Sequence, residues 1–586
     1  MIAGAGLPAP AQREGALLAV IQRELSPRRH MLPLRFLPLL LALVCAPAMT
    51  FAQPLPLPGA IEPGRDRPAP EVRPQPDVDF SIENPHRSAV PRAVDEIHFL
   101  LTDIRVVGAT TLPPESFRPL YEKLLGKDVT LADILDVADG IEDRYRKAGY
   151  PLTRAYVPPQ RVDDGIFTIN VVEGYVASVS VDGGDHGTGT RIKNYLQPVL
   201  AVKPLTLPSL ERGLLMANDL PGVTVTGVLR PSPDTPGASD LVVSVDEPWI
   251  TGRLTVDNRG SHFTGRWTFT GDFAINRLFD DGGQLGGTFA TTTDPQERMI
   301  GQLRYRHPIG NDGMIVSMIG TVTRGEPGSF LSLFNTKTDS YAVGPRVSFP
   351  LIRTRAESLI IDAGFTVQDA KIKLLDIPFS HDKWRVLDIG ASYSRYVLGG
   401  NWVLSMDVAQ GLPIFDATED HSPLLSRSGA DTTFTKVTGM MRYTHTLGGP
   451  FSVALAAQGQ YSFDPLIAGE QITFGGNQIG RGYEPGAVTG DHGLGGSAEL
   501  RYSARLPQWS VEAVQPYVFF DAAQIWNIDV PSDLDYSIAS TGGGIRFWFP
   551  YDIAAAVELA RTLEDVLGSD NGHKTTKVLF NAAVKF

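Results

Sequence analysis

The chain has 586 residues, 42% hydrophobic and 20% charged, with 59 Gly, 45 Pro and a formal net charge of −13. It is too apolar for a disordered chain, carries no run of 18 apolar residues suited to a membrane-crossing helix, and is too acidic to have nucleic acid as its main partner. A single cysteine excludes a disulfide framework and any cysteine-based metal site.

The apolar run near the start is short. Met31 opens MLPLRFLPLLLALVCAPAMTFAQ, with Arg35 as the positive region, an apolar stretch over 36–45 and small residues around Ala46-Pro47-Ala48 or Thr50-Phe51-Ala52. This pattern predicts a signal peptide within a leader over 1–52. Cys45 is a poor lipidation site, because Val44 stands where a small residue is required. Cleavage after Ala52 removes five Arg and two Glu and takes the net charge from −13 to −16.

Residues 53–94 are dense in proline. They predict an extended, semi-rigid spacer without a core. Residues 95–174 then read as a small α+β unit. A strand is predicted over 97–107 and a helix over 114–125, with apolar spacing at Phe117, Leu120, Tyr121 and Leu124. Thr130 and Asp133 form a capping pair for a second helix, which Gly149 ends. Strands follow at 153–157 and 166–173. The same order of strand, helix, helix, strand, strand recurs over 175–247, with strands at 176–181, 223–229 and 240–246 and helices at 190–200 and 209–220. The exposed strand edges at 153–157 and 223–229 are candidate docking edges for an extended chain.

Over 248–586 the helical spacing stops. Sixteen alternating segments follow, from 249–256 to 577–586, and include 340–348, 357–367, 384–397, 495–503 and 514–526. Short and long connections alternate between them, which predicts a sixteen-stranded antiparallel outer-membrane barrel. In the last segment Val578, Phe580, Ala582, Val584 and Phe586 share one face, against Lys577, Asn581 and Lys585. In the segment before it, Ile553, Ala555, Val557 and Leu559 oppose Asp552 and Glu558, which predicts a charged lumen. In segment thirteen Val514, Pro516, Val518, Phe520 and Ala522 face lipid while Tyr517, Phe519 and Asp521 face inward. A soluble all-β domain also alternates and remains the competing reading.

Enzyme signatures are missing: there is no GxxxxGK[ST], HExxH or GxSxG, and the 11 His are scattered singly. No catalytic, cofactor-binding or metal-binding residue is assigned. One segment stands out. Residues 471–496 hold nine Gly and a single Arg, Arg481, followed by Gly482 and Tyr483. An inward carboxylate such as Asp521 needs a partner, and a loop folded into the lumen supplies Arg481 as a bidentate donor. The alternative is a solvated outer loop with Arg481 in water.

Ile479-Gly480-Arg481-Gly482-Tyr483 resembles the [VI]RG[FY] signature in the sixth outer loop of POTRA-barrel outer-membrane proteins. Phe519-Phe520-Asp521-Ala522-Ala523 is similar to that family's FxDxG strand motif, with Ala523 in place of Gly; Gly480 stands where Val is common. The duplicated units resemble POTRA domains. Two such units, a proline-rich spacer and sixteen strands resemble the two-partner secretion transporters (TpsB class, haemolysin-activator type). The resemblance implies an outer-membrane pore, monomeric and surrounded by outer-membrane lipid, with its POTRA units in the periplasm. Those units would bind a largely unfolded secreted partner, a large β-helical exoprotein, for passage to the cell surface. It also implies that the Arg481, Gly482 and Tyr483 loop rests against Phe519 and Asp521 of the barrel wall. A barrel-assembly insertase shares the loop but usually has more POTRA units; a porin, a receptor and a barrel enzyme are weaker alternatives. The plug helix of some relatives is not evident in 53–91.

Overall fold

The computed structural model describes residues 61, 79–83 and 97–586, apart from 163, 185–186, 234, 279–281, 507–509, 529–534 and 567–572. The predicted leader and most of the predicted spacer lie outside the described residues.

The first α+β unit is built around the helix Leu131–Lys147, whose buried side carries Ile134, Val137, Ala138, Ile141 and Tyr145. Thr130 and Asp133 make the predicted capping box, with Asp133 N donating to Thr130 Oγ1 at 3.2 Å and Thr130 N to Asp133 Oδ2 at 2.8 Å. The helix predicted over 114–125 is instead three short turns, Pro114–Phe117, Arg118–Tyr121 and Glu122–Leu124. Pro119 lacks the donor a longer helix needs. The strand predicted over 97–107 is also divided. His98–Leu100 pairs with Asp128–Thr130, while Asp103–Val107 joins a separate sheet beside Ile166–Val172, with Arg154–Tyr156 on the far side. The backbone changes partners at the buried Leu101, whose carbonyl accepts from Gly126 N, while Thr102 N donates to Gly165 O.

Glu173 ties this unit together. Its carboxylate accepts from Tyr145 OH at 2.7 Å, Thr110 N at 2.9 Å and Thr111 N at 2.7 Å. Burial raises its pKa, but these donors outweigh burial and lower it to about 2. A depressed pKa stabilises the fold above the ordinary carboxylate value and loses that contribution as pH falls toward 2. Glu173→Gln should destabilise this unit by about 1–3 kcal/mol at neutral pH. It should also flatten its acid sensitivity, read as amide-exchange protection of Leu131–Lys147 between pH 5 and 2.5. Equal acid sensitivity in the two proteins would rule Glu173 out as the cause.

The second unit repeats the element order with helices Thr188–Leu196 and Leu207–Asn218. Its sheet contains a strand from the predicted spacer. The order is Asp79–Ile82, Thr224–Pro231, Ala238–Asp246, Tyr175–Asp182, and the first pairing is parallel. The proline-rich stretch is therefore not wholly a spacer: Phe80 and Ile82 pack against the second unit's core. The candidate docking edge at 223–229 is covered by the chain itself. Arg154–Tyr156 remains at a sheet edge, although Ala155 N already donates to Glu142 Oε1 at 3.0 Å. The two units are joined by Leu207 N donating to Gly149 O and Leu205 N to Gly174 O, with Leu152 of the first in the core of the second.

Sixteen antiparallel strands close into a barrel, from Ile250–Asp257 to Thr576–Lys585. The twelfth is split at Ser503 into His492–Tyr502 and Ala504–Leu506. Its seam is short: residues 253–257 pair with 585–581, and Asn258 extends the join by donating to Val578 O at 3.0 Å and accepting from Phe580 N at 2.6 Å. Val518, Phe520, Val557, Leu559 and Val578 are exposed on the outer face, while Tyr517, Phe519, Asp521 and Glu558 are buried inside, as the alternation predicts. Asp552 departs from it, lying exposed in a tight turn at φ 53°.

The seventh and eighth strands, Glu357–Leu374 and Ile377–Val397, run well past the roughly 9–11 residues that span a bilayer. The segments predicted at 357–367 and 384–397 stop short because the added outward residues, such as Asp369, Lys371 and Lys383, lie past the length that spans a bilayer and need no apolar face. Inside this taller wall, Trp384 and Phe434 pack with Leu425, Leu466 and Ile467 of the fifth and sixth long loops.

The second unit sits against the short-turn end of the barrel. Arg353, 2% exposed, donates Nε to Asp219 Oδ2 at 2.8 Å and Nη2 to Asp219 Oδ1 at 2.5 Å. Arg355 N donates to Glu211 Oε2 at 3.2 Å, and Arg191 Nη1 to Gly310 O at 3.0 Å.

Candidate functional site: the lumenal arginine loop

The sixth loop, residues 463–491, folds inward. A small hairpin, Ile472–Phe474 with Val488–Gly490, carries its tip down the lumen wall. Ile479, Tyr483 and Phe474 form an apolar cluster with Ala523, Ile525 and Ile538 of the wall. Two glycines permit this approach. Gly480 has φ +84°, and a β-carbon on Gly482 would lie 3.0 Å from the backbone of Arg561 and Thr562.

Arg481 then meets Asp521 in a forked pair, Nε to Oδ2 at 3.0 Å and Nη2 to Oδ1 at 2.9 Å; its backbone N adds a third bond to Oδ2 at 3.1 Å. Asp521 is fully buried. The guanidinium carbon lies 3.5 Å from the centre of the Phe519 ring, so the cation is also stacked. The Tyr483 hydroxyl lies 3.0 Å from Ala539 O and 2.9 Å from Glu564 O and accepts from Glu564 N at 3.1 Å, which pins the loop to the fourteenth strand and to the backbone just past the fifteenth. Thus Arg481, Gly482, Tyr483, Phe519 and Asp521 converge on one place. Ala523, where glycine is usual, is accommodated because its cross-strand neighbour is Gly495.

The geometry contains more than one pair. Arg481 Nη1 reaches Glu499 at 2.9 Å and Glu558 at 3.3 Å. Glu499 is shared with Arg546 at 2.7 Å and Arg501 at 2.6 Å, and Glu558 with Tyr517 OH at 2.7 Å and Arg259 at 3.2 Å. Four arginines thus surround three carboxylates. Sequence reasoning missed Glu499, Arg546 and Arg259 as members. A signal was available: Glu499 and Arg546 fall on inward positions of the two strands flanking Asp521, and Glu558 on an inward position of the next strand.

No cofactor or metal role emerges from this network, whose carboxylates are engaged by arginine. Elsewhere in the lumen Asp362, Asp388 and Asp407 come close together, and Arg346 bridges the first two, 2.6 Å from Asp388.

Comparisons with known proteins agree with this architecture. Residues 237–547 match the haemolysin secretion/activation protein ShlB/FhaC/HecB family, and residues 99–174 match the ShlB-type POTRA domain. The heme/hemopexin transporter protein HuxB of Haemophilus influenzae is 21% identical over 502 residues, 82% of this chain and 86% of the relative. The outer membrane transporter CdiB of Dickeya dadantii is 24% identical over 460 residues, 76% and 79% of the two chains. The solved structure of CdiB from Escherichia coli superposes with a TM-score of 0.63 at 20% identity, covering 86% of this chain and 93% of that one. The chain therefore belongs to the haemolysin secretion/activation protein family, as an outer-membrane two-partner secretion transporter whose POTRA region lies on the periplasmic side of its sixteen-stranded barrel.

Proposed function

We propose that the protein takes an extended, largely unfolded partner from the periplasm through its POTRA units and passes it through the barrel to the cell surface. The reading rests on one observation above others, the strand edge Arg154–Tyr156 in a unit joined through the second POTRA unit to the periplasmic end of the barrel. Main-chain pairing at an edge accepts many sequences and suits an unfolded client. The client would replace Glu142 at Ala155 N, a single charge-assisted bond. The partner is a large secreted protein of β-helical type, the transporter works as a monomer, and the chemistry is transport without catalysis.

Deleting residues 95–247 should abolish export of the partner while the purified barrel still conducts ions in a planar bilayer. Normal export after the deletion would refute docking. A folded protein that never conducts, with or without the deletion, would refute the pore.

A further inference from the structure

The first outer loop, residues 258–267, stands between the arginine loop and the rest of the outer mouth. On its inner side His262 Nδ1 lies 2.6 Å from Glu484 Oε2, three residues after Arg481, and His262 N donates to the same oxygen at 3.4 Å. Arg259 of the same loop reaches Glu558, itself a partner of Arg481. On its outer side Phe263 O accepts from Gly328 N of the third loop at 2.7 Å, and the Phe263 ring packs edge-on to Phe330 and against Leu331 and Ile61. The third loop joins the second through Glu326 N donating to Gln296 O at 2.7 Å. One buried carboxylate thus connects the lowered loop to three loops of the mouth.

Glu484 is 5% exposed, and among the described residues its Oε1 has no hydrogen-bond partner. Arg266 is the near cation on that side, at 3.6 Å, and Lys577 of the sixteenth strand also acts on it. Burial raises the Glu484 pKa, yet His262 and Lys577 outweigh burial and leave it lowered, so the carboxylate is charged. A buried charge that gives up its bond to His262 must find water or another partner. In this structure the contact is closed on His262; released, the carboxylate would turn to Arg266 or to solvent.

We propose that His262 and Glu484 form the catch of the outer mouth, holding the first loop on the arginine loop, and that this catch opens before an exported chain passes. Both are positioning residues, and the proposal rests on the pore reading above. Breaking a charge-assisted bond shifts a closed-to-open balance by roughly tenfold.

The test uses the full-length chain carrying Cys45→Ser, reconstituted in planar bilayers. His262→Ala and Glu484→Ala should each raise the open fraction by roughly tenfold, and the double variant should rise no further, since both remove one contact. His262→Cys with Glu484→Cys, joined by a short reducible bis-thiosulfonate linker, should fall silent and recover on adding reductant, a reversal that misfolding does not give. Equal conductance of the linked and reduced forms overturns the catch but not the pore. Conductance from no form, wild type included, overturns both.

Discussion

Arg481→Ala and Asp521→Ala should each lower partner export by roughly tenfold or more while leaving the barrel inserted. Either change strands a charge that is now almost fully enclosed, at a cost of about 3–5 kcal/mol for a broken buried pair, less where water enters. Arg481→Lys should also fail, because an ammonium cannot reproduce the fork on Asp521, reach Glu499 and stack on Phe519 together. The reciprocal charge swap should not rescue export, since it sets an aspartate beside Glu499 and Glu558. Secretion by both singles and the double alanine variant, alongside heat-modifiable mobility as a check on the barrel, measures the coupling. Strictly additive losses would show that the two residues act separately.

The second large effect should come from Asp219→Ala. It leaves the Arg353 guanidinium 2% exposed with Ser358 Oγ, 3.1 Å from Nη1, as its remaining side-chain partner among the described residues. The cost, again about 3–5 kcal/mol, falls on the junction between the second α+β unit and the barrel. Amide protection in Leu207–Asn218 and around the turn at 354–356 should drop, with the barrel strands unchanged. Asp219→Asn, which keeps one acceptor, should lie in between. Unaltered protection in the alanine variant would show that the junction is held elsewhere.

The barrel was legible because lipid enforces a period of two on every spanning strand, and Asp521 declared its direction through its neighbours Val518 and Phe520. The inward pull on Arg481 could be read for the same reason: a charge in a confined interior demands its opposite. Other features left weaker traces. The strand Asp79–Ile82 is only four residues long, sits among prolines, and gains its stability from Thr224–Pro231, which is 142 or more positions away. The heights of the seventh and eighth strands were hidden because residues above the bilayer lose the apolar alternation. Glu558 reads as an ordinary lumenal charge and Glu499 goes unmarked, since their meeting with Arg481 depends on the register of separate strands. His262 carried no signal in a loop with no periodicity.

The short seam bears on how the barrel is made. Arg253 and Lys585 are 332 positions apart and must meet for the cylinder to close. Loop-closure entropy grows only slowly with such a separation, yet contacts this remote form late. Until then the first and last strands present bare edges able to recruit any passing strand. The vulnerable stage in this molecule's assembly is thus the interval of an open sheet, because nothing in the finished cylinder acts before the ends meet.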